Sequence, residues 1–341
     1  MPMTNGLQLL TQSRWREFKT CVRKHYYAYE LGIDTPSTSE ALIFGTVTHE
    51  LLELLWNGEI RKFEDGWPTD LSLESAWKLR ALVDTYSLFW DRNDYETIAT
   101  ELEFNLPLLN PDTGHSSRTY RLAGKIDAIA KDEKGDYYII EHKTSGMDIS
   151  AGSAYWQRLF LDEQVGIYLH AARRLGYPVV GCIYDVLRKP SIKLKFETPD
   201  EKKKYTKGKD GKLRLHKGQR DSDESGEDYY TRVMHELSVN PTKYLVRAQV
   251  VRTSTDEDNL LRDLWFQAKQ MTLYRHESLH PTNSQSCFKF NRACKFFDLC
   301  CNTSDLTNDR WIKKDRIHTE LEGVTNDQIK ELKIVTAKES A

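Results

Sequence analysis

Long apolar runs are missing from this chain of 341 residues, so no segment is expected to span a membrane. No basic, then apolar, then small-residue signal opens it, which makes a cytoplasmic setting the expectation. A dominant charge is missing too: 49 basic against 51 acidic residues leave a formal net charge of −2. Bulk charge therefore gives no support to nucleic-acid binding, and any basic surface must be local. The paired C-x2-C spacing of common zinc sites is absent. So is a GxxxxGK[ST] phosphate loop, so ATP-driven unwinding would need a partner. No internal repeat is found. What remains is 39% hydrophobic and 29% charged residues, enough for a globular protein with a substantial core.

The patterning alternates between helical and extended stretches. Residues 7–30 read as a helix carrying Trp15, Phe18, Tyr26 and Tyr27. A second helix is expected to start near Gly45, with Leu51, Leu52, Leu54 and Leu55 as its apolar stripe, and a third over 73–92. "ELEFNLPLL", "YRLAGKIDAIAKD" and "DYYIIEHKT" read as strands, the last two joined as a hairpin through "KDEKGD". Residues 153–175 are helical and "PVVGCIYDVLRK" is a buried-type strand, giving a mixed α/β core. The highly charged stretch 197–230 reads as a surface excursion. Helices are expected over 231–245 and 256–279, then a cysteine-rich segment and a polar tail from about 305.

The hairpin carries the chemistry. Glu141 and Lys143 are two apart on one strand and share a face, and Asp127 on the partner strand can meet them. Two converging carboxylates repel unless a cation lies between them, and a hard divalent ion with oxygen ligands resolves that. A lysine beside it can position a water or stabilise charge on a phosphate. A surface salt bridge is the bland alternative for an isolated D…ExK. His142 should point to the opposite face and be structural.

"GKIDAIAKDEKGDYYIIEHKT" resembles motifs II and III of the PD-(D/E)XK nucleases, in the RecB/AddB-like branch, through Gly124, Asp127, Glu141 and Lys143. "FGTVTHELLE" is similar to that branch's motif I, which implies His49 as a further metal ligand. "QVGIYLHA" resembles its QxxxY helix through Gln164 and Tyr168, which implies contact with the active site and the nucleic acid. "ATELEFNLPL" resembles the strand before motif II, and the resemblance places Glu101, with Glu103 as its competitor, at a recurrent acid. The resemblance spans residues 13 to 301 and implies a restriction-endonuclease-like α/β (α+β) core, a mixed sheet flanked by helices. It implies a metal-dependent deoxyribonuclease, an exonuclease of phage or bacterial recombination or repair, acting on single-stranded or duplex ends. Mg2+ or Mn2+ would be held by His49, Asp127, Glu141 and the His142 backbone carbonyl, and an imidazole among the ligands favours manganese. A helicase or recombination partner fits the same setting, in a bacterial or phage-infected cell.

"SCFKFNRACKFFDLCC" places Cys287, Cys294, Cys300 and Cys301 close together. Upstream, "FKTCVRKHYY" resembles the FxxCPRKYYLxY opening of AddB-type and CRISPR-associated RecB-like nucleases, with valine in place of proline. In those families one N-terminal and three C-terminal cysteines hold a [4Fe-4S] cluster joining the chain ends, which implies Cys21, Cys287, Cys294 and Cys300 here. Cys301 competes with Cys300, structural zinc competes with iron–sulfur, and Cys182 reads as a buried small residue. Arg23, Lys24, His25, Tyr26 and Tyr27 form a basic–aromatic knot suited either to stacking on bases or to core packing.

The expected organisation is one nuclease domain over 1–305. It comprises an N-terminal helical segment (1–36), a catalytic core (37–190), a charged insertion (191–230) and a helical, cysteine-bearing part (231–305), followed by a tail (306–341). The rival readings are a CRISPR-adaptation nuclease of the same fold, a non-catalytic DNA-binding scaffold, and a zinc-stapled interaction protein.

Overall fold

A computed structural model describes residues 6–36, 39–59, 70–90, 94–159, 161–289, 291–318 and 321. The first part of the chain runs β1 (Gln8–Leu10), α1 (Gln12–Thr20), α2 (Val22–His25), a π-helical turn over Tyr26–Glu30, and β2 (Ile33–Asp34). Next come α3 (Glu40–Trp56), α4 (Leu73–Phe89), β3 (Tyr95–Leu109), β4 (Ser116–Asp132) and β5 (Tyr137–Ser145). Then follow α5 (Ala154–Leu159), α6 (Glu163–Arg174), β6 (Val179–Arg188), β7 (Tyr205–Lys207), β8 (Leu213–Leu215), α7 (Gly226–Val239), β9 (Leu245–Val250) and α8 (Ser254–His276). Short β10 (Phe288–Lys289), β11 (Arg292–Ala293), α9 (Phe297–Cys300) and β12 (Ile312–Lys313) complete the described part.

Among the described residues the central sheet has the order β1-β4-β5-β6-β9, with β3 on the other edge of β4. It is mixed: β1 runs parallel to β4 and β6 parallel to β5, while the β3–β4, β4–β5 and β6–β9 pairs are antiparallel. Alternation along the strands sends successive side chains to opposite layers. Ile129, Ile139 and Tyr184 join a core under α1, α6 and α8, whereas Ala128, Ile140 and Ile183 pack on the other side against Trp56 of α3. A second helical layer of α3, α4 and α7 closes around Leu52, Leu82 and Val233.

One break in this sheet positions everything that follows. β4 pairs with β5 only from Ala128 to Lys131, and with β1 only from Tyr120 to Leu122. Between those contacts, residues 123–127 have no strand partner on that edge among the described residues, while β5 continues alongside β6 as far as Ser145. The two strands diverge at Asp127 and Glu141. Gly124 lies within the opening, where a Cβ would stand 2.6 Å from the Phe104 ring and 3.3 Å from Tyr168. A side chain there would displace the packing that supports the site.

Several elements differ from expectation for local reasons. Residues 7–30 are not one helix: Leu9 and Leu10 pair with β4, Thr11 caps α1 by accepting from the Arg14 N–H, and Cys21 adopts an extended backbone that breaks the helix. Ser39 caps α3, so it starts at Glu40 rather than near Gly45, and His49 lies mid-helix. The helix expected over 231–245 is α7 followed by strand β9, whose "LVRAQV" pairs with β6. The charged excursion contains the β7–β8 ribbon and the start of α7. The tail is folded beyond residue 305: β12 pairs with β2, and Trp311 stacks on Phe296 at 5.8 Å. Residues 91–92 of the third expected helix and 319–320 and 322–341 of the tail lie outside the described residues.

Candidate active site

β4, β5, α3 and α6 each deliver polar groups to the opening between β4 and β5. From β4, Asp127 accepts the His142 backbone N–H at Oδ2, 2.8 Å. From α3, His49 Nδ1 lies 3.5 Å from the same oxygen. From β5, the Glu141 carboxylate pairs with the Lys143 ammonium on the same face of the strand. From α6, Gln164 Nε2 donates to Glu141 Oε1 at 2.8 Å, and Lys143 Nζ donates to Gln164 Oε1 at 3.1 Å. Gln164 is placed in the first turn because Asp162 caps α6 by accepting its N–H. One turn later Tyr168 OH lies 3.0 Å from Gln164 Nε2, as i, i+4 spacing dictates.

Burial makes these charges interdependent. Glu141 is 1% exposed. Burial and the nearby Asp127 charge push its carboxyl up to about 7, against the pull of Lys143. Burial also works against Asp127 ionising, yet the hydrogen bond and charge of His49, with His142 and Lys143, bring it down to about 2. Burial opposes a charged His49, but Asp127 first and Glu141 next hold its imidazole above the ordinary range. Lys143 is likewise held above its usual range despite burial, by Glu141 and Asp127. Asp127, His49 and Lys143 are thus held in their charged forms, whereas Glu141 is shifted towards its protonated form.

The donor set suits a hard divalent ion: two carboxylates, an imidazole nitrogen, and a buried Glu141 Oε2 with no hydrogen-bond partner. His142 adds a carbonyl. In an extended strand a residue's N–H and C=O face the same edge, and its N–H already points to Asp127. Among the described residues, no three or more His, Cys, Asp or Glu side chains stand close enough as placed to hold a metal ion, here or at the cysteines. The carboxylates are held apart by donors of the chain itself, Asp127 by His142 and His49, Glu141 by Lys143 and Gln164.

The remaining sequence candidates fall as follows. Glu101 adopts a left-handed backbone (φ 47°) within β3, and its carboxylate pairs with Lys125, two residues before Asp127 on β4. The side chain of His142 is buried on the α3 side, with Nδ1 3.5 Å from Asp185 Oδ2. Cys21, Cys287, Cys294 and Cys300 are free thiols. Burial raises Cys300, and the surrounding Cys294, Cys21 and Cys287 add to that against Arg23. Cys287 is raised by burial and by Cys294, Cys21 and Cys301. Cys21, Cys287, Cys294 and Cys300 influence one another electrostatically, but among the described residues no three of them stand close enough as placed to hold a metal ion. Cys182 is buried in β6.

Sequence reasoning missed Asp185 and Arg247. Asp185 is fully buried in β6 and accepts from Tyr86 OH, with Arg247 Nε of β9 at 3.2 Å. An acid inside the apolar "GCIYDVLR" was the available signal, of the same kind that marked Glu141. Arg247 carried none, because β9 itself was unrecognised.

A family profile described as "PD-(D/E)XK nuclease superfamily" matches residues 9–301. This chain belongs to the PD-(D/E)XK nuclease superfamily. Its mixed sheet flanked by helices is the architecture the family implies. Two solved structures resemble this PD-(D/E)XK protein weakly. An exonuclease candidate from Eubacterium rectale is 9% identical, with 93% of this chain and 94% of the other covered and a TM-score of 0.40. SSO0001 is 13% identical, with coverages of 70% and 77% and a TM-score of 0.25. No curated protein matches significantly. No described helix is long and apolar enough to cross a membrane.

Proposed function

We propose that this PD-(D/E)XK protein is a divalent-metal-dependent deoxyribonuclease that hydrolyses phosphodiester bonds from strand ends. The observation that carries this reading is the meeting of His49, Asp127, Glu141 and Lys143 at the divergence of β4 and β5. Asp127, Glu141, His49 and the His142 carbonyl would hold Mg2+ or Mn2+. When bound, such an ion supplies positive charge against the phosphate and makes a nearby water more acidic. Lys143, steadied by Glu141 and Gln164, presents a protonated amine to the phosphate oxygens or the attacking water. The His142 N–H fixes Asp127, and Tyr168 steadies Gln164. The exonuclease direction of this reading comes from the RecB/AddB-like motifs.

The same reading assigns Cys21, Cys287, Cys294 and Cys300 to a structural [4Fe-4S] cluster. Its support is the mutual influence of these thiols, contributed by both ends of the chain.

The test of activity incubates the protein with 5′- and 3′-labelled single-stranded and duplex DNA, with Mg2+ or Mn2+, beside Lys143→Ala and Asp127→Ala. Metal-dependent digestion lost in both variants is expected, and the labels report polarity. No digestion with either metal would leave the non-catalytic scaffold as the better account.

A further inference from the structure

A cavity of about 310 Å³ opens beside the candidate active site, on the α3–α4 side of the sheet. Its walls are aromatic, with Trp56, Tyr86, Trp90 and Tyr95 among them, and Asn57 and Arg247 contribute polar groups. The volume matches the small end of ligand sites, about 300–1,000 Å³. Arg247 lies within, its guanidinium 4.2 Å from the centre of the Trp90 ring and 5.6 Å from that of Trp56. Its charge is answered by Asp185 and its guanidinium covers one face of the Trp90 ring, so the site offers aromatic surface rather than a free cation for phosphate. Asn57 is exposed, with its amide oxygen engaged by Thr100 Oγ1 at 3.0 Å.

This cavity touches the residue whose backbone orients Asp127. The Trp56 ring lies 5.7 Å from the His142 ring, and the His142 N–H holds Asp127. His49 and Trp56 are seven residues apart on one face of α3, about 10 Å along its axis. A strand whose phosphate reaches His49 and Asp127 thus brings a neighbouring base to the aromatic walls.

Resting on the nuclease reading, we propose that this cavity receives one unpaired nucleobase of the strand being cut, stacked against Trp90 and Trp56. A base in a duplex is already stacked and paired and must leave the helix to enter, whereas a base in single-stranded DNA is free to do so. The pocket therefore favours single-stranded or frayed ends. Stacking is tolerant of sequence, so the preference is for an unpaired base rather than for a particular one.

The experiment measures equilibrium binding of the full chain, in EDTA, to a short single-stranded oligonucleotide in which an abasic residue is moved one position at a time. Hydrolysis plays no part in this readout, so failure of the nuclease reading and failure of the pocket are separable. One abasic position is expected to weaken binding about ten-fold, the scale of a single base–aromatic stack. 2-Aminopurine at that position is expected to be quenched on binding. Trp90→Ala should remove both the position dependence and the quenching, and Trp90→Phe should keep them. The abasic series on the unmodified protein needs no variant, so a misfolded Trp90→Ala does not weaken the test. Equal effects at every position, absence of quenching, or absence of oligonucleotide binding each overturn the proposal.

Discussion

The backbone N–H of His142 donates to Asp127 Oδ2 at 2.8 Å, across the point where β4 and β5 stop pairing. A carboxylate has replaced the strand partner that the ladder would otherwise supply. The backbone of β5 thereby orients the acid of β4, and the same residue turns its ring towards Asp185. Four consequences can be measured.

Gln164 touches both members of the buried Glu141–Lys143 pair. Lys143→Ala should reduce kcat by about 10²–10³-fold, the scale for losing one preorganised electrostatic donor. Gln164→Ala leaves the ammonium in place but less constrained, and should cost about ten-fold in kcat with little change in KM. Steady-state kinetics on a defined oligonucleotide checks both, and a Gln164→Ala enzyme as slow as Lys143→Ala would contradict this ordering.

Gly124→Ala should destabilise the fold by about 1–3 kcal/mol, because the new methyl meets the Phe104 ring at 2.6 Å. Adding Phe104→Leu should recover part of that loss by making room. Urea midpoints of the three variants and the parent decide it, and an unchanged midpoint for Gly124→Ala would show that the ring yields freely.

Asp34 ties the early part of the chain to the late part, with Lys295 Nζ at 2.7 Å and Lys314 Nζ at 3.0 Å. Burial raises its carboxyl, but the two lysines and the Thr35 N–H more than reverse this and hold it below the ordinary range. The unfolded value is about 3.9. The stabilisation is therefore full at neutral pH, above the unfolded value, and is lost as pH falls through the lower folded value. Asp34→Asn should cost about 1 kcal/mol at pH 7, discounted for the partly exposed lysines. That difference should vanish once acid has protonated Asp34 in both states. Chemical denaturation across pH provides the check; a difference growing in acid has the wrong sign.

If the cysteines hold an iron–sulfur cluster, the protein should purify brown, with iron and acid-labile sulfide. Cys21→Ser and Cys300→Ser should lose both and melt at lower temperature, while Cys182→Ser and Cys301→Ser should keep the colour. Stoichiometric zinc in a colourless protein rejects iron–sulfur in favour of a zinc staple. Loss of colour in Cys301→Ser but not Cys300→Ser exchanges their roles.

Much of the site was legible because strands and helices have fixed periods. Glu141 and Lys143 had to share a face, Gln164 and Tyr168 had to stack one turn apart, and the "KDEKGD" turn required β4 and β5 to be neighbours. Short elements were not legible. β1, β2 and β12 have two or three residues and owe their existence to the partner strand, and the expectation of one helix over 231–245 overlooks the Asn240–Pro241 breaker that ends α7 one turn before β9.

The amino-acid sequence by itself determined which residues are acidic, basic or thiol-bearing, which strand faces they occupy, and the family to which they belong. Only the tertiary structure decided that β4 and β5 part at Asp127, that His49 approaches from mid-helix, and that Arg247, paired with Asp185, lines an aromatic cavity beside His142. The physical reason is range. Periodicity acts over a few residues, whereas the 15 residues separating Asp127 from His142 are spanned by sheet pairing and the layers packed on it.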